Sequence, residues 1–180
     1  MNDLMADIRK LNARPGGGAI VITVANFAVN LSLMMKKKDF GVLQEEADVS
    51  YETMIEISDI LLNLYDEDIK YTNILLDEYR NKGFAEEKTL IDAARPQIRL
   101  NTLALKAMDI LGFYLEHGRS TTLSDGEIAN NLLKAAIESS IPTIKINLKD
   151  TNYKYNIKEV LDKKDYYYKR NLSIIERRKV

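Results

Sequence analysis

The chain contains no cysteine and only one histidine, His117. Without cysteine there are no disulfides, no thiolate metal ligands and no cysteine nucleophile. With one histidine, a metal site built from several imidazoles is excluded. Proline and glycine are also scarce, at 3 and 8 of 180 residues. A chain of this length buries a substantial core without cross-links, so we expect one folded domain over residues 1–180.

No charge of one sign dominates, because 26 Lys/Arg are interspersed with 27 Asp/Glu and the net charge is −1. Such a chain lacks the overall field that attracts nucleic acid. Residues 1–10 have no continuous apolar segment of the kind found in secretion signals. The longest apolar run, residues 19–35, includes asparagines that are costly in lipid. We therefore predict a cytoplasmic protein that contacts neither nucleic acid nor membranes.

The long segments between the few prolines and glycines are rich in Leu, Ile, Ala, Glu and Lys. This composition predicts an all-α, single-domain bundle of about six helices. The apolar run forms the buried central helix, and the basic, tyrosine-rich tail within residues 151–180 forms the last helix. The expected helices cover residues 2–11, 18–38, 43–79, 85–115, a segment that starts at Ser124, and 157–178.

Three local features set expectations for the helix ends. Pro96 is expected to kink or interrupt the fourth helix. Ser124 and Glu127 have the spacing of a capping box, with Ser124 as the N-cap residue. Pro142 is expected to break or restart the helix that begins there.

The segment Arg14-Pro15-Gly16-Gly17-Gly18 leads directly into the apolar helix. It lacks the Gly-Lys-Ser/Thr ending of a P-loop and the spaced glycines of a dinucleotide fingerprint. Two interpretations remain open. The glycines present bare N–H groups to a ligand at a helix start, or they form a tight turn that lets two helices approach closely.

Polar residues interrupt the apolar helix at Thr23, Asn26 and Asn30, which share one face. Because buried amides must be hydrogen-bonded, this polar seam either pairs with neighbouring helices or faces a ligand. Asp66 and Asp68 lie deep in the third helix, far from the N-terminal turn in which the helix dipole stabilises acidic residues. They are either solvated or placed in a cleft where burial raises the pKa of a carboxyl toward the range useful for proton transfer.

Asp125 lies in the first turn of its helix, a position that the dipole alone favours. Carboxylates can ligate magnesium, but the chain has no cluster dense enough to predict a metal site. We therefore predict no bound metal.

In their order, these segments resemble the formiminotetrahydrofolate cyclodeaminase and methenyltetrahydrofolate cyclohydrolase family. The family has a Pro-Gly-Gly-Gly-Ser turn, an apolar helix, an Asn-Leu-Thr segment and then lysines. This chain has Pro15-Gly16-Gly17-Gly18-Ala19, then Asn30-Leu31-Ser32, then Lys36-Lys37-Lys38.

The resemblance continues through residues 14–150. The family's Asp-x-Asp segment and the basic stretch after it resemble Asp66-Glu67-Asp68 and Glu78-Tyr79-Arg80-Asn81-Lys82. Its Ser-Asp-Ala-Gly helix start resembles Ser124-Asp125-Gly126, and its Ile-Asn-Leu segment resembles Ile146-Asn147-Leu148.

The resemblance implies a helical homodimer that acts on a tetrahydrofolate bound near the glycine turn and the polar seam, with no further cofactor. The family converts 5-formiminotetrahydrofolate to 5,10-methenyltetrahydrofolate with loss of ammonia, or hydrolyses the methenyl form to 10-formyltetrahydrofolate. Both reactions need a proton donor and acceptor, for which the resemblance suggests Asp66, Asp125 and Asp68. The expected binding residues are Gly16, Gly17 and Gly18 at the turn, Asn30 on the seam, and Arg80 and Lys82 toward the anionic glutamate tail.

Two departures from the family pattern lie close to the expected site. Ala19 replaces the serine of the glycine turn, and Met34 replaces a glycine near the end of the apolar helix. The alternative hypothesis is therefore a divergent helical dimer, non-catalytic or differently specific, that binds a small ligand or a protein partner. A third hypothesis is an adaptor that uses its basic tail.

Overall fold

The computed structural model describes residues 2–10 and 15–179, with the side chains described from residue 5 onward. Six α-helices and no strand occur within these ranges. The α-helices are α1 (Asn2–Ile8), α2 (Gly17–Leu33), α3 (Gln44–Lys82), α4 (Glu87–His117), α5 (Leu123–Leu148) and α6 (Ile157–Arg178). Short 3₁₀ turns, Gly41–Leu43 and Ser120–Thr122, precede α3 and α5. The predicted all-α domain of about six helices is confirmed.

The apolar helix α2 is central, as predicted, and packs against α3, α4 and α5. Ala19, Ile22, Ala25, Ala28 and Val29 are fully buried, and the three alanines let the neighbouring helices approach closely. The other helices leave one face of α2 uncovered, however, and Phe27 on that face is 51% exposed. That open face adjoins α3 and forms part of the candidate site described below.

Helices α3 and α4 form a long antiparallel pair joined at Gly83. This glycine ends α3 in the left-handed conformation, with φ of 78°, which residues with a Cβ rarely adopt. The pairing brings Arg99 of α4 to within 3.0 Å of Glu67 of α3. Asp68 follows Glu67 on α3, and Gln97 precedes Arg99 by two residues on α4. These two side chains lie on the inner sides of their helices and meet in the interior.

Two expectations about helix ends, at Ser124 and Pro142, were wrong, and the expectation at Pro96 was wrong in part. Helix α5 begins at Leu123 with Thr122 as its N-cap residue and no side-chain cap, so Ser124 does not form a capping box. The 3₁₀ turn Ser120–Thr122 runs directly into the helix instead. Pro142 does not break α5, and α4 continues through Pro96 without the expected interruption, whereas a kink at Pro96 stays a prediction. Packing of these helices against their neighbours outweighs the cost of about 3 kcal/mol for an internal proline.

Helix α6 has the predicted bounds and covers α4 and α5. Its N-cap residue is Asn156, which accepts a hydrogen bond from the Glu159 N–H at 3.2 Å. Farther along, the buried Asn171 donates to the Met108 carbonyl at 2.9 Å and to Asn130 at 3.0 Å. The basic tail is therefore an integral part of the bundle. None of the helices in the described ranges is long and apolar enough to span a bilayer.

Candidate functional site

The glycine turn forms the start of α2. Gly16 is the N-cap residue, in extended conformation, and provides no side-chain cap. Gly17 has open space around its Cα, whereas a Cβ on Gly18 would come within 2.6 and 2.7 Å of the two carboxylate oxygens of Asp68. The close-approach interpretation therefore holds for Gly18. Arg14, the first residue of the motif, lies outside the described residues.

Asp68 projects from α3 onto this first turn of α2 and is only 5% exposed. Its carboxylate accepts a hydrogen bond from the Ala19 backbone N–H and another, at 2.7 Å, from Gln97 Nε2. Burial raises the pKa of Asp68, and the two hydrogen bonds only partly oppose this. The carboxylate of α3 thus accepts from an N–H group of the first turn of α2 that has no partner within its own helix. Its burial shifts the protonation equilibrium toward the neutral acid.

Gln97 was not identified from the sequence, although it links α4 to the glycine turn. Its amide oxygen is buried and has no hydrogen-bond partner among the described residues, and the same holds for the amide oxygen of Asn73. Unpaired buried oxygens of this kind are uncommon. The only sequence signal for Gln97 was a polar residue directly after the internal Pro96.

A cleft of about 370 Å³ opens between α2 and α3. Ile22, Phe27 and Leu62 form its apolar walls, and Thr23, Asn26, Tyr65 and Asp66 contribute its polar groups. Asp66 is exposed, in contrast to Asp68 two residues later. The burial of Tyr65 and the charge of Asp66 raise the pKa of the Tyr65 hydroxyl above its ordinary value. We refer to this space as the α2–α3 cleft.

The polar seam has two parts. Thr23 and Asn26 line the α2–α3 cleft, as the ligand-facing alternative requires. Asn30 instead bonds within the protein, donating to Ser58 Oγ of α3 at 3.0 Å and to Asn26 Oδ1 at 2.9 Å. Ser58 completes the network by donating to Asn26 Oδ1 at 2.7 Å. Ser58 was not identified from the sequence, and its effect is to fix the side chain of Asn26.

The remaining predicted site residues lie away from this cleft within one subunit. Asp125 is half-buried in the first turn of α5, beside the end of α2, where Gly126 packs on Met35. From the start of α2 to that end is about 24 Å at 1.5 Å per residue. One chain therefore does not bring Asp125 together with the glycine turn, and Asp125 is not among the residues that line the α2–α3 cleft.

Arg80 and Lys82 lie at the exposed end of α3, where they pair with Asp77 at 3.1 Å and Glu86 at 2.6 Å. Arg80 is about 18 Å along the helix from Asp68. Neither side chain lines the α2–α3 cleft. Within the described ranges, no group of three or more Asp, Glu or His side chains is arranged to hold a metal ion.

Comparisons with known proteins agree with one another. A sequence profile of the family described as Formiminotransferase-cyclodeaminase matches residues 1–165. The fold is similar to the crystal structure of formiminotetrahydrofolate cyclodeaminase from Thermotoga maritima, with a TM-score of 0.87 and 22% sequence identity. That match covers 98% of this chain and 95% of the other. No curated protein sequence gives a significant match.

Proposed function

Because the chain belongs to the formiminotransferase-cyclodeaminase family, we propose that it is a cytoplasmic enzyme of folate one-carbon metabolism. The reaction is closure of 5-formiminotetrahydrofolate to 5,10-methenyltetrahydrofolate with release of ammonia, or hydrolysis of the methenyl form to 10-formyltetrahydrofolate. Both pass through a tetrahedral carbon between two folate nitrogens. Both need protons delivered and removed at that carbon, and no further cofactor takes part.

The observation that carries the proposal is the position of Asp66 at the α2–α3 cleft. The cleft combines apolar walls, which suit a flat heterocycle, with the hydrogen-bonding groups of Thr23 and Asn26. Asp66 is the exposed carboxylate among the lining residues of the cleft. In this proposal Asp66 is the acid and base for the reacting carbon, and Asn26 orients a polar edge of the ring system.

Asp68 has a different part in the proposal. It lies against Gly18 and holds the Ala19 N–H, so it positions the glycine turn. The predicted binding role of the glycine turn then belongs to the N–H groups at Gly16 and Gly17, since the first N–H groups of any helix have no partner within it, whereas Gly18 packs against Asp68. The roles of Asn30, Arg80 and Lys82 in binding, and of Asp125 in catalysis, stay predictions.

We also propose that the enzyme is a homodimer, as the resemblance implies. The open face of α2 and α3 exposes apolar side chains in a row, with Phe27 at 51%, Leu62 at 58% and Ile55 at 37%. An apolar face beside a cleft is typical of a surface that a second copy covers. Light scattering of the purified protein should give the mass of two chains, and the mass of one chain would contradict the dimer.

The experiment that tests the function follows the absorbance of methenyltetrahydrofolate. Its formation from the formimino substrate identifies a cyclodeaminase, and its loss by hydration identifies a cyclohydrolase. Asp125→Asn is the informative variant, because within one chain Asp125 does not line the cleft. Loss of turnover in that variant is expected if a second subunit supplies Asp125, and unchanged turnover removes Asp125 from the mechanism.

The divergent-dimer hypothesis has one observation in its favour. Ala19 is fully buried and contributes only its backbone N–H, whereas the family's serine would add a hydroxyl. A protein of this class would bind a tetrahydrofolate or a related ligand without converting it. Binding in the absence of turnover, with both substrates tested, would favour this second candidate.

A further inference from the structure

A second cleft lies on the same side of the protein, at the far end of α2. It has a volume of about 530 Å³ and lies between the end of α2 and the beginning of α3. Four cationic side chains line it, Lys36, Lys37, Lys38 and Arg119, together with one carboxylate, Asp48. We refer to this space as the basic cleft. None of its cations belongs to the predicted site.

The four cations of the basic cleft differ in their contacts, and the Nζ of Lys37 lies 4.9 Å from the centre of the Phe40 ring. Lys36 is engaged, because its Nζ lies 3.2 Å from Asp48 and 3.8 Å from the centre of the Tyr51 ring. Within the part of the chain that the structure describes, no carboxylate forms an ion pair with Lys37, Lys38 or Arg119. The backbone of Arg119 is anchored beside the cleft, since its N–H donates to the Met35 carbonyl at 2.8 Å. A cleft with an excess of positive charge favours an anionic ligand.

The basic cleft and the α2–α3 cleft lie along one line. On α2, Asn26 lines the first and Met34 the second, about 12 Å farther along the helix. On α3, residues at helical spacing continue the same stripe from one cleft to the other. These are Gln44, Asp48 and Tyr51 in the basic cleft, Ser58 between the clefts, and Leu62 and Asp66 in the α2–α3 cleft.

We propose that the basic cleft holds the carboxylate-bearing tail of the ligand whose ring system occupies the α2–α3 cleft. This inference rests on the proposed function, since a tetrahydrofolate has a heterocycle at one end and the carboxylates of its glutamate at the other. Arg119 and Lys37 bind the carboxylates, and the Asn26–Asn30–Ser58 network lies beneath the part of the ligand between them. The tail thus runs toward the end of α2, away from Arg80 and Lys82.

The test compares two probes, a tetrahydrofolate and the corresponding tetrahydropteroate, which lacks the glutamate. Dissociation constants are measured by calorimetry for wild type, Arg119→Gln and Lys37→Gln. Lys169→Gln is the matched control, because Lys169 is exposed on α6, which packs on α4 and α5. Arg119→Lys, which keeps the charge, is the rescue variant, and circular dichroism verifies that each variant is folded.

We expect wild type to bind the tetrahydrofolate more tightly than the tetrahydropteroate. Arg119→Gln and Lys37→Gln should each weaken tetrahydrofolate binding by about threefold to tenfold and leave tetrahydropteroate binding unchanged. Lys169→Gln should change neither constant, and Arg119→Lys should restore most of the affinity. The preference for the tailed probe should shrink as salt is added.

Different outcomes would contradict the assignment of the basic cleft and the proposed function. If wild type binds both probes equally, or if both variants keep the tail preference, the proposed function stands and the assignment of the basic cleft is wrong. Loss of the preference in Arg80→Gln instead would place the tail at the end of α3. If wild type binds neither probe, the proposed function and this inference both fail.

Discussion

The carboxylate of Asp68 lies 2.7 Å from the amide nitrogen of Gln97, and a Cβ on Gly18 would reach both groups. Residues from α2, α3 and α4 therefore meet at one buried point. Within the glycine turn, Gly18 is packed against Asp68 and Gln97, whereas a Cβ on Gly17 would meet no other atom. This arrangement separates the structural role of one glycine from the ligand-facing role proposed for its neighbours.

The first prediction compares two glycine substitutions. Gly18→Ala should lower the free energy of unfolding by about 2 kcal/mol, because its methyl group displaces the buried Asp68 and Gln97 side chains. Gly17→Ala should change it by less than about 0.5 kcal/mol, since its Cβ meets nothing. Urea unfolding of both variants measures the difference, and equal losses would contradict the packing of Asp68 against Gly18.

The second prediction concerns the pH dependence of stability. The pKa of Asp68 is raised above its ordinary value of 3.8, chiefly by burial. The folded chain therefore binds more protons than the unfolded chain between the ordinary pKa and the folded one, and the contribution of Asp68 to stability falls as the pH rises through that range. Above the folded pKa the contribution is constant.

Asp68→Asn isolates this effect, because the other carboxyls titrate alike in both proteins. The unfolding free energy of wild type minus that of Asp68→Asn should decline from about pH 4 upward and then level off. Urea titrations across the acid range measure it. A difference that instead grows with pH would show that the folded protein prefers the ionised carboxylate.

The third prediction tests the network beneath the proposed ligand. Ser58→Ala removes a donor to Asn26 Oδ1 and an acceptor from Asn30, both at 3.0 Å or less. Asn26 then keeps only the hydrogen bond from Asn30 and is less well held at the cleft, so tetrahydrofolate binding should weaken by roughly 1 kcal/mol, about fivefold. Ser50→Ala, on the same helix but outside the α2–α3 cleft, is the control. Equal affinities of wild type and Ser58→Ala would exclude Asn26 as a positioned contact.

Much of the fold could be predicted from the sequence, because apolar periodicity and scarce helix breakers act locally. The bounds of α6 and the central place of α2 follow from such patterns. The continuity of α5 through Pro142 could not be predicted in this way, since it depends on packing against α2, α4 and α6. Tertiary packing outweighs a local preference of a few kcal/mol.

The candidate site was harder to predict from the sequence, because it also depends on tertiary packing. Asp66 and Asp68 are two residues apart and look equivalent in sequence, but the first is exposed at the cleft and the second is buried against Gly18. Gln97, Ser58 and Arg119 are distant in sequence from the residues they join, and no local motif marks them. The pairing of α2 with α3 and of α3 with α4 brings Ser58 and Gln97 to their partners, and the contact of the segment after α4 with the end of α2 brings in Arg119.

Turnover by Asp66→Asn tests the central claim most directly. Conversion of the formimino and methenyl substrates is measured for wild type, for Asp66→Asn and for Asp59→Asn, an exposed carboxylate of the same helix outside the cleft. We predict that wild type and Asp59→Asn convert one of the substrates, and that Asp66→Asn is slower by about a hundredfold or more. Turnover by Asp66→Asn at the wild-type rate, or no turnover of either substrate by wild type, would contradict the claim.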